Sequence, residues 1–338
     1  MESSDAIRIL RDFGNQRILI AGDVMLDRYI WGTVTRVSPE APVPIVFRQR
    51  MSSSPGGAGN VAVSVAALGG HPVLVSVGGE GPEGRELHAG LAERGVDPSD
   101  VILSPTRRTT VKTRIIAHNQ QLLRIDEEET HPIDSPLVEE LLARIEALLP
   151  FVTAVILSDY AKGVLTPEVV SGIIGRARRL GLPVLVDPKG SDYARYNGAS
   201  LLTPNRAEAF LVAGLQQDHA KVADAGAHLM DSLAIDALLI TEGESGMTLF
   251  ERRDSPIHLP ATARVVYDVT GAGDAVIATV GLTLGAGGSL RMATYLANLA
   301  GGLAVEQVGT ATITAEAVEN VLQTNHHSLA ILLQGADL

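Results

Sequence analysis

The chain has 338 residues, of which 46% are hydrophobic and 20% charged, a composition typical of a globular protein and unlike that of disordered, collagenous or coiled-coil chains. Its formal net charge of −12 argues against nucleic acid as a partner, because the chain lacks a basic stripe and would repel a phosphate backbone. It has no cysteine, which excludes disulfides, iron–sulfur clusters, Cys-ligated zinc and a thiol nucleophile, and which fits a reducing, cytoplasmic location.

The sequence also argues against a membrane as a partner. Its first 16 residues mix acidic and basic side chains and contain no apolar leader segment. The longest uncharged stretch, between Asp274 and Arg291, is shorter than the ~20 apolar residues of a membrane helix. We expect this stretch to be a buried core helix.

Short β-branched runs alternate with longer helical stretches along the chain. Continuous apolar runs predict buried parallel strands at residues 18–21, 73–77, 154–157, 184–186, 201–203 and 237–240. Helices are predicted between them at residues 60–68, 83–94, 136–149, 167–180 and 221–233. This alternation predicts an α/β fold in which helices cover both faces of a mostly parallel sheet.

Two parts of the chain interrupt this alternation. Residues 43–47 follow a Pro-rich run, and residues 109–117 and 121–126 alternate around residues 118–120 as in a β-hairpin. Because no helices separate these pieces, we expect a small separate sheet inserted into one domain that spans residues 1–338. This sheet would form a lid or an oligomer contact from segments at about 28–48 and 107–126.

The strongest chemical signal is the segment Asp-Val-Thr-Gly-Ala-Gly-Asp at residues 268–274, which leads into an apolar helix. Small residues let a ligand approach the backbone, and the unpaired N–H groups of a helix start attract anions. A carboxylate beside a bound anion is unusual, and one good reason for it is to take a proton from a nucleophile that attacks a phosphoryl group. The alternative is that Asp274 only caps the helix.

A second glycine cluster, Gly-Gly-Ala-Gly-Asn at residues 56–60, opens another helix. It contains the loose dinucleotide fingerprint Gly57-x-Gly59-x-x-Ala62, and Glu80 lies where a ribose-binding acid would fall. The fingerprint should follow a strand directly, whereas residues 48–55 are polar and resemble a loop. Asn60 suits hydrogen bonds to sugar hydroxyls equally well. The chain has no P-loop motif.

Three further motifs follow predicted strands, where ligands bind in open α/β sheets. Asp23 and Asp27 could grip the hydroxyls of a polyol. Asn205 and Glu208 share one helical face and could order a hydrated Mg²⁺. The Gly-rich turn at residues 241–246 could receive a nucleotide. Each motif alone could also be an ordinary turn or helix start. Their joint occurrence after several strands of one sheet is much harder to explain by chance.

These motifs together resemble those of the ribokinase/PfkB family of sugar kinases, over nearly the whole chain. Residues 56–60 resemble the N-terminal signature of the family and residues 268–274 its C-terminal signature, with Val269 where Thr is frequent. Residues 205–208 fit its N-x-x-E motif. The resemblance implies a ribokinase-like three-layer α/β/α fold with a small β lid, and ATP and Mg²⁺ as cofactors.

Finer features are similar to one branch of the family. Residues 22–29, 36–44 and 119–124 resemble the D-glycero-β-D-manno-heptose-7-phosphate kinases, which act in making ADP-heptose for bacterial lipopolysaccharide. Many members of the branch have a C-terminal adenylyltransferase domain. This chain has no H-x-G-H-type motif after the kinase region, so the resemblance is to the stand-alone kinase form.

The resemblance implies a role for each matching residue. Asp274 would be the catalytic base, and Gly271, Ala272 and Gly273 would form the anion hole for the transferred phosphoryl group. The sugar would be held by Asp27, Gly56, Gly57 and Asn60, the nucleotide by Asn205, Glu208, Thr241, Gly243, Gly246 and Asn298, and Mg²⁺ by Glu208 through water. The candidate cations for the 7-phosphate are Arg36, Lys112, Arg114, Lys162 and Lys189.

The same resemblance implies in-line transfer from ATP to O1 of the heptose phosphate, with the β configuration retained. It adds a monovalent cation near Asp268 as a further expectation, and the small sheet suggests a homodimer that pairs through the lid. Three alternatives stay open at this point: a kinase of another sugar (ribose, fructose phosphate or a nucleoside), an NAD-binding oxidoreductase built on residues 57–62, and a non-catalytic sensor.

Overall fold

The computed structural model describes residues 3–118, 120–216, 220–263, 265–307 and 312–324. The strands are β1 (Arg17–Gly22), β2 (Val24–Val37), β3 (Pro44–Gly57), β4 (His71–Gly79), β5 (Val101–Ser104), β6 (Thr110–Ala117), β7 (Gln120–Glu127), β8 (Ala154–Ser158), β9 (Val184–Asp187), β10 (Leu201–Leu202), β11 (Ala237–Thr241), β12 (Met247–Glu251) and β13 (Ile257–Leu259). The helices are α1 (Ser3–Arg11), α2 (Ala58–Ala67), α3 (Pro82–Ala92), α4 (Ser135–Leu148), α5 (Pro167–Arg179), α6 (Arg206–Ala213), α7 (Val222–Ser232), α8 (Ala272–Gly285), α9 (Leu290–Val305) and α10 (Ala315–Thr324).

The main sheet has the strand order β13-β12-β11-β10-β9-β8-β1-β4-β5 within the described residues. Neighbouring strands from β11 to β5 in this order pair in parallel. Strands β12 and β13 form an antiparallel edge next to β11. Alternate residues of β1 pack on opposite faces: Ile18 and Ile20 belong to a core with α2, α8 and α9, and Leu19 and Ala21 to a core with α4, α5 and α7. The expected three-layer α/β/α architecture is confirmed.

The apolar runs predicted the parallel strands well, because strands covered on both faces need apolar residues throughout. All six predicted strands are present as β1, β4, β8, β9, β10 and β11, within two residues at each end. The uncharged stretch after Asp274 forms α8, whose residues from Asp274 to Thr283 are buried. No helix among the described residues combines the length and the apolar character needed to cross a membrane.

The small sheet has the order β3-β2-β6-β7, and its extent differs from the prediction. The hairpin of β6 and β7 lies where it was expected, although Asn119 at its turn is outside the described residues. The prediction of a loop at residues 48–55 was wrong, because they form half of β3, which pairs with β2 from Val24↔Gly57 to Val37↔Pro44. Polar residues interrupt both long strands, and most of their length is partly or fully exposed, so they lack the continuous buried apolar runs that mark the main sheet.

The small sheet rises directly from the carboxyl end of β1. Gly22 ends β1, β2 begins at Val24, and β3 returns into α2 at Ala58. The backbone between the two sheets is fixed by Asp23, whose N–H donates to Ser158 O (3.1 Å) and whose carbonyl accepts from Ala58 N (3.0 Å). Because β1 lies between β4 and β8, where the chain order of the sheet reverses, the small sheet stands over the crevice in which α/β sheets bind ligands.

Candidate active site

Asp274 lies in the first turn of α8, and its carboxylate faces residues of other elements. Its Oδ2 accepts a hydrogen bond from Asn60 Nδ2 (2.5 Å) and its Oδ1 one from the Tyr160 hydroxyl (3.0 Å). The residue is only 6% exposed, and burial raises the pKa of the carboxyl from 3.8 to about 6. A pKa in this range suits a base that must both take up and release a proton near neutral pH. This geometry goes beyond that of a simple helix cap.

The glycine turn in front of α8 leaves room for a ligand. Gly271 precedes the helix in the left-handed conformation (φ 80°), which glycine adopts without strain. A Cβ added at Gly273 would meet no atom within 4 Å, so the space in front of that backbone is open. The Ala272 N–H donates a long bond to Val269 O (3.3 Å) inside the turn. The helix start can therefore accept an anion at its open face.

The second glycine pair brings Asp27 to the same crevice. A Cβ on Gly56 would overlap the Asp27 carboxylate, and one on Gly57, which also has a positive φ of 59°, would overlap Asp23 O. Both positions thus require glycine for β3 to pass close to β2. Asp27 is 5% exposed, and its negative charge contributes to the raised pKa of Asp274. The structure therefore brings Asp27, Asn60 and Asp274 together.

Three predicted cations lie near Asp27, two on β6 of the small sheet and one in the loop after β8, each beside a carboxylate. Arg114 Nη1 is 2.5 Å from Asp27 Oδ1. Lys112 lies opposite Asp27 in the β2–β6 register, and its Nζ is 3.3 Å from Glu128 Oε2. Lys162 reaches the same Glu128 from the loop after β8, with Nζ 2.8 Å from Oε1. Lys112 Nζ is also 3.3 Å from Asp126 Oδ2, so three cations lie next to the crevice in ion pairs with Asp27, Asp126 and Glu128.

The other two predicted cations lie elsewhere. Arg36 is exposed near the far end of β2, about 30 Å beyond Asp27 at ~3.3 Å per residue of strand. The structure does not bring it to the crevice, because residues 24–37 form one long strand that leads away from the main sheet. Lys189 Nζ is 2.5 Å from Glu208 Oε1 and so lies with the N-x-x-E motif.

The N-x-x-E motif starts α6 with reciprocal hydrogen bonds. Asn205 Oδ1 accepts from Glu208 N (3.0 Å), and Glu208 Oε2 accepts from Asn205 N (3.1 Å), so this motif is also a helix start. Sequence reasoning missed the neighbouring Asp187 at the end of β9. Burial, together with the charges of Asp274 and Glu208, raises the pKa of Asp187 well above its ordinary value. Its place directly after an apolar run was the signal that could have revealed it.

The predicted nucleotide turn follows β11 beside the N-x-x-E motif. Thr241 forms an isolated parallel bridge with Asn205. Gly243 has a positive φ of 59° and open space around its Cα, whereas a Cβ on Gly246 would overlap the carbonyl of Leu259. Asn298 is buried on α9, and its Nδ2 donates to Pro260 O (2.8 Å). Gly246 and Asn298 thus fix the wall of this turn.

The prediction that Asp23 grips hydroxyls of a polyol was wrong. Asp23 is 1% exposed, and its carboxylate accepts hydrogen bonds from the backbone N–H groups of Tyr160 (2.9 Å), Lys162 (3.0 Å) and Val164 (3.0 Å). Its oxygens are therefore occupied by the loop after β8. Sequence reasoning also missed Tyr160, because nothing local connects this loop with a residue on α8.

The dinucleotide alternative lacks its structural context. Helix α2 is entered from β3 of the small sheet, whereas the fingerprint requires a strand of the parallel sheet directly before the helix. The glycines at 56 and 57 are explained by their close approach to Asp27 and Asp23.

Comparison with known proteins agrees with this geometry. The sequence matches the pfkB family carbohydrate kinase profile over residues 15–317. It is 49% identical over 308 residues to the bifunctional protein HldE of Caulobacter vibrioides (90% of this chain, 63% of that protein) and 45% identical over 314 residues to that of Pectobacterium atrosepticum (93% and 65%). The chain spans about two thirds of the length of these curated relatives.

Solved structures share the fold at low sequence identity. A ribokinase of Arabidopsis thaliana complexed with ribose and ATP superposes with a TM-score of 0.72 at 18% identity, over 91% of this chain and 99% of that one. Phosphofructokinase-2 of Escherichia coli in complex with potassium gives 0.74 at 19% identity, over 91% and 98%. These structures share the fold alone, whereas the profile match over residues 15–317 shows that the chain belongs to the pfkB family of carbohydrate kinases and is a sugar kinase.

Proposed function

We propose that the chain is a cytoplasmic kinase that transfers the terminal phosphoryl group of ATP to O1 of D-glycero-β-D-manno-heptose 7-phosphate, in the formation of ADP-heptose. The main support is the position of Asp274, which lies at an open helix start and in the same crevice as Asn60 and Asp27. The choice of sugar is supported by the heptose-kinase features of residues 22–29 and 36–44 and by relatives that bear the name HldE.

In the proposed reaction, Asp274 takes the proton of the O1 hydroxyl as O1 attacks the terminal phosphorus. The bond from that phosphorus to the bridging oxygen breaks, and ADP leaves. The C1–O1 bond is not broken, so the β configuration is retained. The N–H groups of Gly271 and Gly273, and that of Ala272 if it exchanges its long bond to Val269 O for the ligand, would stabilise the charge that develops on the transferred group. Asp27 and Asn60 would hold hydroxyls of the sugar.

The residues present fit ATP and Mg²⁺. The open space at Gly273 and Gly243 can accept phosphates and nucleotide, and Asp187 and Glu208 supply oxygen ligands beside it. Among the described residues, no group of three or more acidic or histidine side chains could hold a metal ion. The two carboxylates of Asp187 and Glu208 suit Mg²⁺, which keeps several waters and binds through few carboxylates plus substrate phosphates. When bound, Mg²⁺ would neutralise phosphate charge. A monovalent cation near Asp268 stays a prediction.

Recognition of the 7-phosphate is assigned to Lys112 and Lys162, with Arg114 beside them. The two lysines converge on Glu128 next to the crevice, and their side chains are only 14% and 16% exposed. A phosphate that enters this space would replace Glu128, and also Asp126 at Lys112, as the partner of two partly desolvated ammonium groups, a strong charge-assisted contact. An unphosphorylated sugar offers nothing equivalent.

A panel of sugars, assayed for ADP release, tests this function. We expect kcat/KM for the heptose 7-phosphate to exceed that for unphosphorylated ribose or fructose by at least about 100-fold. Only the phosphorylated sugar offers an anion to Lys112 and Lys162. The product should be a 1,7-bisphosphate in the β configuration. A clear preference for an unphosphorylated sugar or for a nucleoside would contradict the heptose assignment and leave the kinase fold in place.

The acidic limb of the pH profile should report Asp274. Its carboxyl has a pKa of about 6, and only the ionised form can take a proton, so kcat/KM should fall tenfold per unit as the pH falls below about 6. Initial rates between pH 5 and 8.5, with the ionisation of the sugar phosphate measured separately, check this. A rate that stays constant down to pH 5 would contradict it.

We also propose that two copies of the chain pair through the small sheet. The strand register places a row of apolar residues on the face of the small sheet opposite Asp27: Ile30, Met51, Ile115, Leu123 and Ile125. Three of them are well exposed, at 52% for Met51, 54% for Leu123 and 44% for Ile125. A contiguous apolar surface on a four-stranded sheet with free edges favours association with a second copy.

Leu123→Glu is therefore expected to weaken the dimer at least about tenfold in Kd, because a charge would be buried in an apolar contact. Light scattering after gel filtration over a range of concentrations measures this. Gln121→Glu is the matched control, since it adds the same charge to the same strand outside that apolar row. A wild-type chain that is monomeric at high micromolar concentration would refute the pairing.

A further inference from the structure

The loop after β8 is fixed by hydrogen bonds from its backbone to two buried carboxylates, those of Asp23 and Asp159. Asp23 accepts three backbone N–H groups from it, at Tyr160, Lys162 and Val164. Asp159, which is 3% exposed, accepts the N–H of Ala161 (2.7 Å) within the loop and the hydroxyl of Tyr196 (2.7 Å) from outside it. Two buried carboxylates thus fix the position of one short segment of backbone.

The same loop contains strained backbone, and it is contacted by a buried cation from the segment between β5 and β6. Ala161 has φ of 55°, a left-handed conformation that a non-glycine residue adopts only when its surroundings impose it. Arg107 is 8% exposed and donates to the backbone oxygens of His131 (3.0 Å) and Lys162. Strain that is fixed from several sides is typical of segments that position a reactive group.

The side chain that this loop presents to the crevice is Tyr160. Its hydroxyl donates to Asp274 Oδ1 at 3.0 Å, while Asn60 donates to Oδ2. The pKa of Tyr160 is raised well above its ordinary value by burial and by Asp274, so the phenol stays protonated and can only donate to the carboxylate. Each carboxylate oxygen keeps a lone pair for a substrate hydroxyl.

We propose that Tyr160 is a positioning residue for Asp274: it fixes the orientation of the carboxylate and keeps it ionised. This inference rests on the proposed function, in which Asp274 is the base. The need for such a donor follows from the other groups that face the carboxylate. Burial and the charge of Asp27 on β2 disfavour its ionised form, whereas Asn60 on α2 and Tyr160 favour it. Asp187 at the end of β9 also interacts with it, and the charge of Asp274 helps to raise the pKa of Asp187.

Tyr160→Phe removes only the hydroxyl and keeps the ring. We expect the acidic limb of the kcat/KM profile to move up by about one pH unit, the scale of one hydrogen bond to a charged group. At pH 8 we expect kcat to fall about tenfold, because the carboxylate is less well oriented, with little change in KM for ATP. A residue with a merely structural role would not move the midpoint of the profile.

Tyr196→Phe is the matched control. It removes a buried hydroxyl that also donates to a carboxylate, at Asp159, but it does not touch Asp274. We expect it to lower the melting temperature and to leave the midpoint of the acidic limb unchanged. If Tyr160→Phe does not fold, 3-fluorotyrosine placed at position 160 keeps the shape, donates more strongly and should move the midpoint downward.

The outcomes separate this inference from the proposed function. A folded Tyr160→Phe enzyme with a wild-type midpoint, or a 3-fluorotyrosine enzyme with an unmoved one, overturns the role of Tyr160 even when Asp274→Asn is inactive. An active Asp274→Asn enzyme overturns the proposed base itself. A midpoint that moves only in the position-160 variants supports the inference.

Discussion

Asp274→Asn is expected to lower kcat by about 10²–10⁴-fold, the usual scale for the loss of a general base. The amide has the size of the carboxylate and can still bond to Tyr160 and Asn60, but it cannot take the proton of a hydroxyl. The affinities for sugar and ATP should change little, because phosphoryl transfer depends on positioning that the variant keeps. Steady-state rates of ADP release, with sugar affinity from calorimetry, measure the two effects separately.

The stability of this variant provides an internal check. Folding raises the pKa of Asp274 from 3.8 to about 6, so the ionised carboxylate disfavours the folded state above pH 6, and this penalty disappears as the pH falls below 4. Asp274→Asn should therefore be at least as stable as the wild type at pH 8. Asp236→Asn, which removes one member of an exposed ion pair with Arg178, should leave turnover unchanged. Near-normal turnover of a folded Asp274→Asn enzyme would remove Asp274 from its role.

Gly56→Ala is expected to lower kcat/KM for the sugar by about 100-fold, the effect of displacing a positioning group by about 1 Å. The added methyl group would overlap the carboxylate of Asp27, which must move because the backbone of β3 is fixed by its pairing with β2. The affinity for ATP should be retained, since Asp27 lies on the sugar side of the crevice. Sugar kinetics at saturating ATP, with a crystal structure of the variant, measure the displacement.

Gly175→Ala is the matched control for that substitution. Gly175 lies inside α5, where an added Cβ would meet only the flexible end of Arg179 at 3.9 Å. This variant should be as stable as the wild type or slightly more so, because alanine favours a helix interior by up to about 1 kcal/mol. Equal kcat/KM values for Gly56→Ala and the wild type would show that Asp27 does not hold the sugar.

The main sheet could be predicted because its signal is local. Strands covered on both faces, such as β8 and β9, must be apolar at every residue, and they stand out in the sequence. The small sheet could not be delimited in the same way. Residues 48–55 are polar, and only their pairing with β2, a contact distant in sequence, makes them a strand.

The candidate site was predictable where backbone geometry demanded particular residues. The glycines at 56–57 are required by a close approach of two strands, and those at 271–273 by a left-handed turn with open space for a ligand, and both clusters pointed to the neighbouring Asn60 and Asp274. Tyr160 and Asp187 could not be found by this reasoning, because their roles arise only when the loop after β8 and the end of β9 meet the start of α8. A carboxylate that follows a strand is an ambiguous signal, because it can serve either structure or a ligand. Asp23 accepts backbone N–H groups of the loop after β8, whereas Asp27 faces the crevice.

A crystal structure with a non-hydrolysable ATP analogue and heptose 7-phosphate bound tests the account most directly. We predict that an Asp274 carboxylate oxygen will lie about 2.6–3.2 Å from the O1 hydroxyl, with that hydroxyl in line with the terminal phosphorus. The sugar's own phosphate should contact Lys112 and Lys162. A complex in which O1 lies beyond hydrogen-bond reach of Asp274, with another side chain in its place, would contradict the account.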